Sequence, residues 1–360
     1  MSILTAAAFL LVGDAWLATD GHLLALGAVF AGLFALILWS AFAVVRHADA
    51  LAVQLGEPYG TLILTLSVIT IEVMMISAVM LAGSETPTLA RDTMYAVLMI
   101  VLNGMVGICL LLGGLKHSEQ QYNLQGANAF LAVIVPLAFL GLVLPNYTRA
   151  TTDPTFSTGQ SIFLVIMSLG IYSVFLAIQT VRHRAHFVQP GGDLLDQAAD
   201  EDHVHRPIAY HAILLVCYLI PVALLSKKLA VPMEHGISVI GAPAALGGFL
   251  VAVLVLSPEA LGAVHAAMAN QLQRAVNIFL GSVLATISLT IPAVLTIGLL
   301  TDRQVWLGLD HEEIVMLLVT LLVSTLTFAS GRTNVLQGAV HLLLFLAYFM
   351  LIFDVPTPDP

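Results

Sequence analysis

Long apolar stretches recur from one end of the chain to the other, and nothing else in the sequence limits its fold so tightly. A helix of roughly 20 apolar residues crosses the hydrocarbon core of a bilayer, and each stretch is near that length. Of the 360 residues, 59% are hydrophobic and only 9% charged, against about a quarter charged in soluble domains. The fold class that follows is an all-α polytopic membrane protein.

Eleven helical spans are predicted, near 2–18, 22–45, 58–82, 94–115, 127–147, 159–181, 208–226, 243–268, 275–300, 311–329 and 334–353. The segment 1–21 has no basic leader region and carries Asp14 inside its apolar run, so it reads as a retained N-terminal helix and not a cleaved signal peptide. Connections are short except for 182–207, which holds several histidines with Asp193, Asp196, Asp200, Glu201 and Asp202, and which separates 22–181 from 208–360. Seven Lys and Arg residues fall on the side of this acidic loop and five on the other. That bias places the loop and the N-terminus in the cytoplasm. Cys109 and Cys217 lie inside apolar runs and give no disulfide framework. A net charge of −10 argues against a nucleic-acid partner.

The five spans on either side of the acidic loop repeat. GTLILTLSVITIEVMM begins at Gly60 and GGFLVAVLVLSPEALG at Gly247, and in each a glutamate follows twelve residues later, Glu72 and Glu259. A hydroxyl residue stands two positions before each, Thr70 and Ser257. The next spans correspond more loosely, with Asn103 in one and Ser282 and Thr286 in the other. FSTGQS (156–161) then answers FASGRT (328–333) where the fifth spans open. Five is odd, so the second half enters the membrane from the opposite side. Inverted-topology repeats of this kind are common in secondary transporters, whose substrate sites lie near the midplane at the repeat interface.

Glu72 and Glu259 are the only acidic residues deep inside the ten repeated spans. A charge at a helix centre costs about 2.5–3.5 kcal/mol on insertion scales, so a matched pair points to use. Low dielectric favours the neutral acid of a carboxyl group. A cation arriving at two such groups displaces their protons, and the pair then exchanges one for the other. Calcium and alkali cations prefer oxygen, which Thr70, Ser257, Asn103, Ser282 and Thr286 supply. Pro258 loosens the helical hydrogen bonding beside Glu259 and frees backbone carbonyls. Gly56, Gly60, Gly104, Gly107, Gly262 and Gly281 would let helices approach closely. The plainer reading of a membrane glutamate is a protonated, hydrogen-bonded helix contact, and Asn103 and Ser282 read equally well as ordinary interhelical hydrogen bonds.

Asn270, Gln273 and Asn277 open the ninth span and fit either a cytoplasmic entrance with a gating role or a solvated helix end. His183, His186, His203, His205 and His211 lie in or beside the acidic loop. Their spacing suits a regulatory cation or a pH sensor, although a solvated loop explains them as well. His341 is expected to be hydrogen-bonded within the bundle. HExxH, GxSxG, a P-loop and GxGxxG are absent, and there is no room for an ATPase domain. The sequence therefore points away from an enzyme, calls for no cofactor, and leaves an ion gradient as the driving force.

VVRHADALAVQLGEPYGTLILTLSVITIEV (44–73), LSPEALGAVHAAMANQLQRAVNIFLGSVLATISLTIPAV (256–294) and GRTNVLQGAVHLLLFLAYF (331–349) resemble the first α-repeat, the second α-repeat and the last span of bacterial Cha-type calcium/proton or sodium–potassium/proton antiporters. These belong to the cation/calcium exchanger superfamily, and the resemblance covers nearly the whole chain. It implies ten core helices in two inverted halves plus an extra N-terminal helix, a bacterial inner-membrane location, and cation binding by Glu72 and Glu259. The chain departs from better-known calcium/proton exchangers where VITIE and VLSPE replace a GNxxE-like motif, which leaves the choice among Ca²⁺, Na⁺ and K⁺ open. The expected activity is exchange of such a cation for protons. The expected partners are inorganic cations, protons and membrane lipid, with a homo-oligomer left open. A cation channel using the same carboxylates is the alternative, and it would move cations without coupling to protons.

Overall fold

The computed structural model describes residues 23–56, 59–81, 87–190 and 206–354. The predicted span 2–18 and residues 191–205 of the acidic loop lie outside the described residues. The other ten predicted spans are all helical: α1 (Leu23–Leu55), α2 (Tyr59–Leu81), α3 (Leu89–His117), α4 (Leu124–Tyr147), α5 (Thr158–Arg182), α6 (Ile208–Ile240), α7 (Ala245–Met268), α8 (Leu272–Thr301), α9 (His311–Thr327) and α10 (Val335–Ile352). Among the described residues nine are long and apolar enough to cross a membrane; α9 has 17 residues and is the short one. A two-residue antiparallel ladder, β1 (Gln120–Gln121) against β2 (Arg332–Thr333), is the extended structure among the described residues.

Three helices run past their apolar stretches, each for a physical reason. In α1 the buried residues Leu33, Ile37, Ala41, Val44, Ala48 and Leu51 recur every three or four positions, so the packed stripe continues while Arg46 and Asp49 point away from it. In α6 the stripe Val222, Leu225, Leu229 and Met233 continues beneath the exposed Lys227, and the helix contains Pro221 and Pro232. In α3 the start moves back to Leu89 because Arg91 and Asp92 neutralise one another.

The chain forms two compact units, Met1–Leu89 with Asp200–Pro258 and Ala90–Ala199 with Glu259–Pro360, each drawing helices from both sides of the acidic loop. In the first, Leu33, Ile37 and Val44 of α1 pack with Ile71 and Met75 of α2 and Val222 and Leu225 of α6. Two buried histidines join α1 to α6: the Nδ1 atoms of His47 and His211 are 3.0 Å apart, so one ring donates and the other accepts. At the α1–α2 turn Gly56 has φ +64°, and a Cβ on Gly60 would fall 2.6 Å from the Ala52 carbonyl oxygen.

In the second unit α3 and α10 touch backbone to backbone. A Cβ on Gly338 of α10 would lie 2.5 Å from the Leu111 nitrogen, and one on Gly107 of α3 would lie 2.9 Å from the Leu342 nitrogen. Without a hydrophobic drive between helices in lipid, such close packing is a main source of cohesion. The first FxxGxx motif contains the start of a capped helix and the second immediately precedes one. Ser157 closes a capping box with Gln160 at the start of α5, and Asn334, just past its motif, does so with Gln337 at the start of α10. Arg91 reaches Asp92 at 2.8 Å, Asp310 at 3.2 Å and the Gly308 carbonyl at 3.0 Å, which ties α3 to the start of α9.

Candidate functional site

Glu72 lies near the middle of α2, is 2% exposed, and has Oε1 wholly screened from solvent. Glu259 of α7 is partly buried, with Oε2 likewise screened. The hydroxyls two positions earlier behave alike. Thr70 donates to the Leu66 carbonyl at 2.6 Å, and Ser257 donates to the Val253 carbonyl at 2.5 Å. Each hydroxyl spends its proton on its own helix, so what it offers a neighbour is oxygen lone pairs. α7 runs unbroken through Pro258. Proline has no N–H, so the Leu254 carbonyl four residues earlier loses its usual helical donor. Glu72, Thr70 and Ser257 belong to the first compact unit; Glu259 and the remaining candidates belong to the second.

The loosely matched spans share a feature that the sequence does not display. Asn103 sits in a π-helical turn of α3 (Ile100–Met105), and Thr286 opens a π-helical turn of α8 (Thr286–Thr290). Such turns redirect side chains and are frequent at functional sites. Asn103 is fully buried, and its Nδ2 donates to Thr320 Oγ1 of α9 at 2.9 Å. Ser282 and Thr286 are buried in α8, and Thr290 Oγ1 makes no hydrogen bond among the described residues.

Two groups of polar residues lay outside the sequence reading. The first is a hydroxyl stripe on α9. Thr320, Ser324 and Thr327 are buried on one face, while Val315, Leu318, Leu322 and Leu326 are exposed on the other. His341 of α10 bonds Thr327 Oγ1 through Nε2 at 3.0 Å, within the bundle as expected. The stripe's four- and three-residue spacing was visible in the sequence as a signal of polarity turned inward. The second group caps the C-terminus of α7: Lys116 and His117 bond the Met268 carbonyl at 3.0 and 2.9 Å, and Gln120 donates to that of Ala267 at 2.8 Å. A basic side chain at a helix C-terminus satisfies orphan carbonyls and opposes the helix dipole.

The residues opening the ninth span are engaged with connecting segments. Asn270 is exposed, with φ +61°, and accepts from Gln120 Nε2 at 3.1 Å. Gln273 is fully buried; its Oε1 accepts from the Asn123 backbone at 2.6 Å and its Nε2 donates to Asn277 at 2.8 Å. Asn277 in turn donates to the Phe187 carbonyl at 2.7 Å. The structure thus brings Gln273 and Asn277 together and anchors all three to 120–123 or 187.

A family model described as sodium/calcium exchanger protein matches residues 25–181 and 210–353. The chain belongs to the sodium/calcium exchanger protein family. It is therefore a multi-pass membrane transporter and not an enzyme. It is 48% identical over 321 residues to the sodium-potassium/proton antiporter ChaA of Escherichia coli K12, covering 88% of this chain and 86% of that one. It is 43% identical over 317 residues to the putative ionic transporter y4hA of Sinorhizobium fredii, with the same coverage. Among solved structures, native YfkE superposes with a TM-score of 0.76 over 98% of this chain and 99% of that chain at 16% identity. At that identity the likeness bears on the exchanger fold alone.

Proposed function

We propose that this exchanger is a secondary antiporter of the bacterial inner membrane that expels Na⁺, K⁺ or Ca²⁺ from the cytoplasm in exchange for protons. The observation that carries this reading is the matched pair of glutamates, each at the same step of a repeat helix and each preceded by a hydroxyl bonded back to its own helix. Relatives named as sodium-potassium/proton and Ca(2+)/H(+) antiporters support it. Glu72 and Glu259 take up cation and protons in turn. Thr70, Ser257, Asn103, Ser282 and Thr286 complete the oxygen ligands, joined by the carbonyl that Pro258 frees. Asn270, Gln273 and Asn277 act at the cytoplasmic entrance, on the side of the acidic loop and the N-terminus.

Coupling follows from charge. With one Ca²⁺ bound, or one monovalent cation together with one proton, the two carboxylates are neutralised; with no cation bound, two protons neutralise them. Either state crosses between inward and outward access at tolerable cost, whereas two bare carboxylates would strand charge in the bilayer. The test uses everted membrane vesicles holding a pH gradient. Glu72→Gln and Glu259→Gln are each expected to abolish cation-induced proton release. Full activity in either variant overturns the assignment, and cation flux without proton movement makes the protein a channel.

A further inference from the structure

We propose that Thr320 is a positioning residue that fixes which end of the Asn103 amide faces the transported cation; this rests on the reading of Asn103 as a cation ligand. An asparagine side chain carries a carbonyl oxygen at one end and an NH₂ at the other. Only the oxygen coordinates a metal cation, and the NH₂ repels it. A buried amide free to rotate would present the wrong end part of the time. In α3 the nitrogen end is held. Nδ2 donates to Thr320 Oγ1 at 2.9 Å and approaches Met99 Sδ at 3.6 Å. The Thr320 hydroxyl sends its own proton to the same sulfur at 3.6 Å, so it meets Asn103 as an acceptor. Turning the amide over would set Oδ1 against the thioether and strand two N–H donors, and even if the Thr320 hydroxyl turned its proton to Oδ1 it would give up its own contact with the sulfur. Asn103 and Thr320 are both 0% exposed, so bulk water is not at hand to compensate. Oδ1 is left buried and accepts no hydrogen bond among the described residues, which is the state a cation ligand requires.

Thr320 is 217 residues from Asn103 and acts on the cation only through it. The hydroxyl comes from the buried face of α9, opposite the exposed Leu318 and Leu322. It is therefore a fixed post against which the α3 amide is oriented.

The experiment measures apparent KM for Na⁺, K⁺ and Ca²⁺, with maximal rates, in everted vesicles. The variants are Thr320→Val, Thr320→Ser, Asn103→Ala and the double variant Asn103→Ala with Thr320→Val. Valine keeps the shape and removes the acceptor. It is expected to raise the KM of the transported cation by about three- to tenfold, with a smaller fall in maximal rate. Serine is expected to restore KM to near wild type. In Asn103→Ala no amide remains to orient, so adding Thr320→Val is expected to leave KM where it stands. A wild-type KM in Thr320→Val overturns the proposal, as do effects that multiply in the double variant. A raised KM in Asn103→Ala beside an unshifted Thr320→Val removes the positioning role and keeps Asn103 as a ligand. A wild-type KM in Asn103→Ala removes the ligand reading and the proposal with it. If Thr320→Val does not accumulate in the membrane, Thr320→Ala is judged by the same criteria.

Discussion

Gly338→Ala is the sharpest test of how the second unit is held together. The added methyl would lie 2.5 Å from the Leu111 nitrogen and 2.9 Å from the Gly107 carbonyl oxygen, where ordinary contact begins at 3.4 Å. The larger shortfall is about 0.9 Å. Backbone atoms cannot rotate out of the way as a side-chain tip can, so α3 and α10 must separate. Overpacking of this kind costs about 1–3 kcal/mol, and separation along the whole contact between α3 and α10 favours the upper end. Alanine itself returns about 0.5–1 kcal/mol through helix propensity. The net expectation is a loss of about 2 kcal/mol. Thermal unfolding of the purified protein in detergent reads it. Gly170→Ala in α5 is the control, because a methyl there meets nothing within 4 Å. Gly338→Ala should unfold several degrees below the control. The same parting shifts Asn103, one turn from Gly107, so apparent KM should rise too. Unfolding of Gly338→Ala at or above the control refutes the backbone-contact argument.

Two further outcomes follow from the polar ends of the helices. Arg91→Met removes the guanidinium that Asp92, Asp310 and the Gly308 carbonyl share, and breaking a buried pair from one side costs up to about 3–5 kcal/mol, whereas Asp310→Asn, at a side chain 65% exposed, should cost about 0–1 kcal/mol; membrane abundance and melting of the two variants separate them. Tyr122, in the α3–α4 connection, donates to the Thr327 carbonyl at 3.2 Å and accepts from the Gly331 backbone at 3.1 Å, and burial raises its phenol above the usual value. A raised folded-state value means the stabilisation is whole below about pH 10 and is lost as pH rises through the folded value. The stability gap between wild type and Tyr122→Phe should therefore narrow above about pH 10, and a gap constant to higher pH contradicts this.

The order of the ten described helices was legible because apolar length is a direct physical demand of the bilayer. Their ends were less so. Arg46, Lys227 and Arg91 each look like a boundary in the sequence, yet α1 and α6 carry such charges on an outer face, and Arg91 is neutralised by partners one residue and 219 residues away. Glu72 and Glu259 stood out because a rare residue type recurred at a fixed offset. The support around Asn103 did not stand out, since no pattern links it to Thr320 across 217 residues and the π turns leave no mark in composition. Among the glycines, Gly60 and Gly107 have the close backbone contacts that small residues suggested, while a Cβ on Gly262 or Gly281 would meet only a side chain at ordinary distance, and Gly338 was not among those singled out.

Helix α9 has one more consequence, which concerns the lipid. Its 17 residues measure about 26 Å along the axis, a few ångströms less than the roughly 30 Å hydrocarbon core. Its outer face carries Val315, Leu318, Leu322 and Leu326, interrupted by Thr325, whose hydroxyl bonds back to the Leu321 carbonyl at 2.8 Å, and Asp310, Glu312 and Glu313 stand at its first turn. Matching these carboxylates to the headgroup layer draws the bilayer thinner around this one helix, at a fraction of a kcal/mol per ångström. Acyl-chain length thus becomes a mechanical input that presses on the helix bearing Thr320, and so on the orientation of the amide it holds.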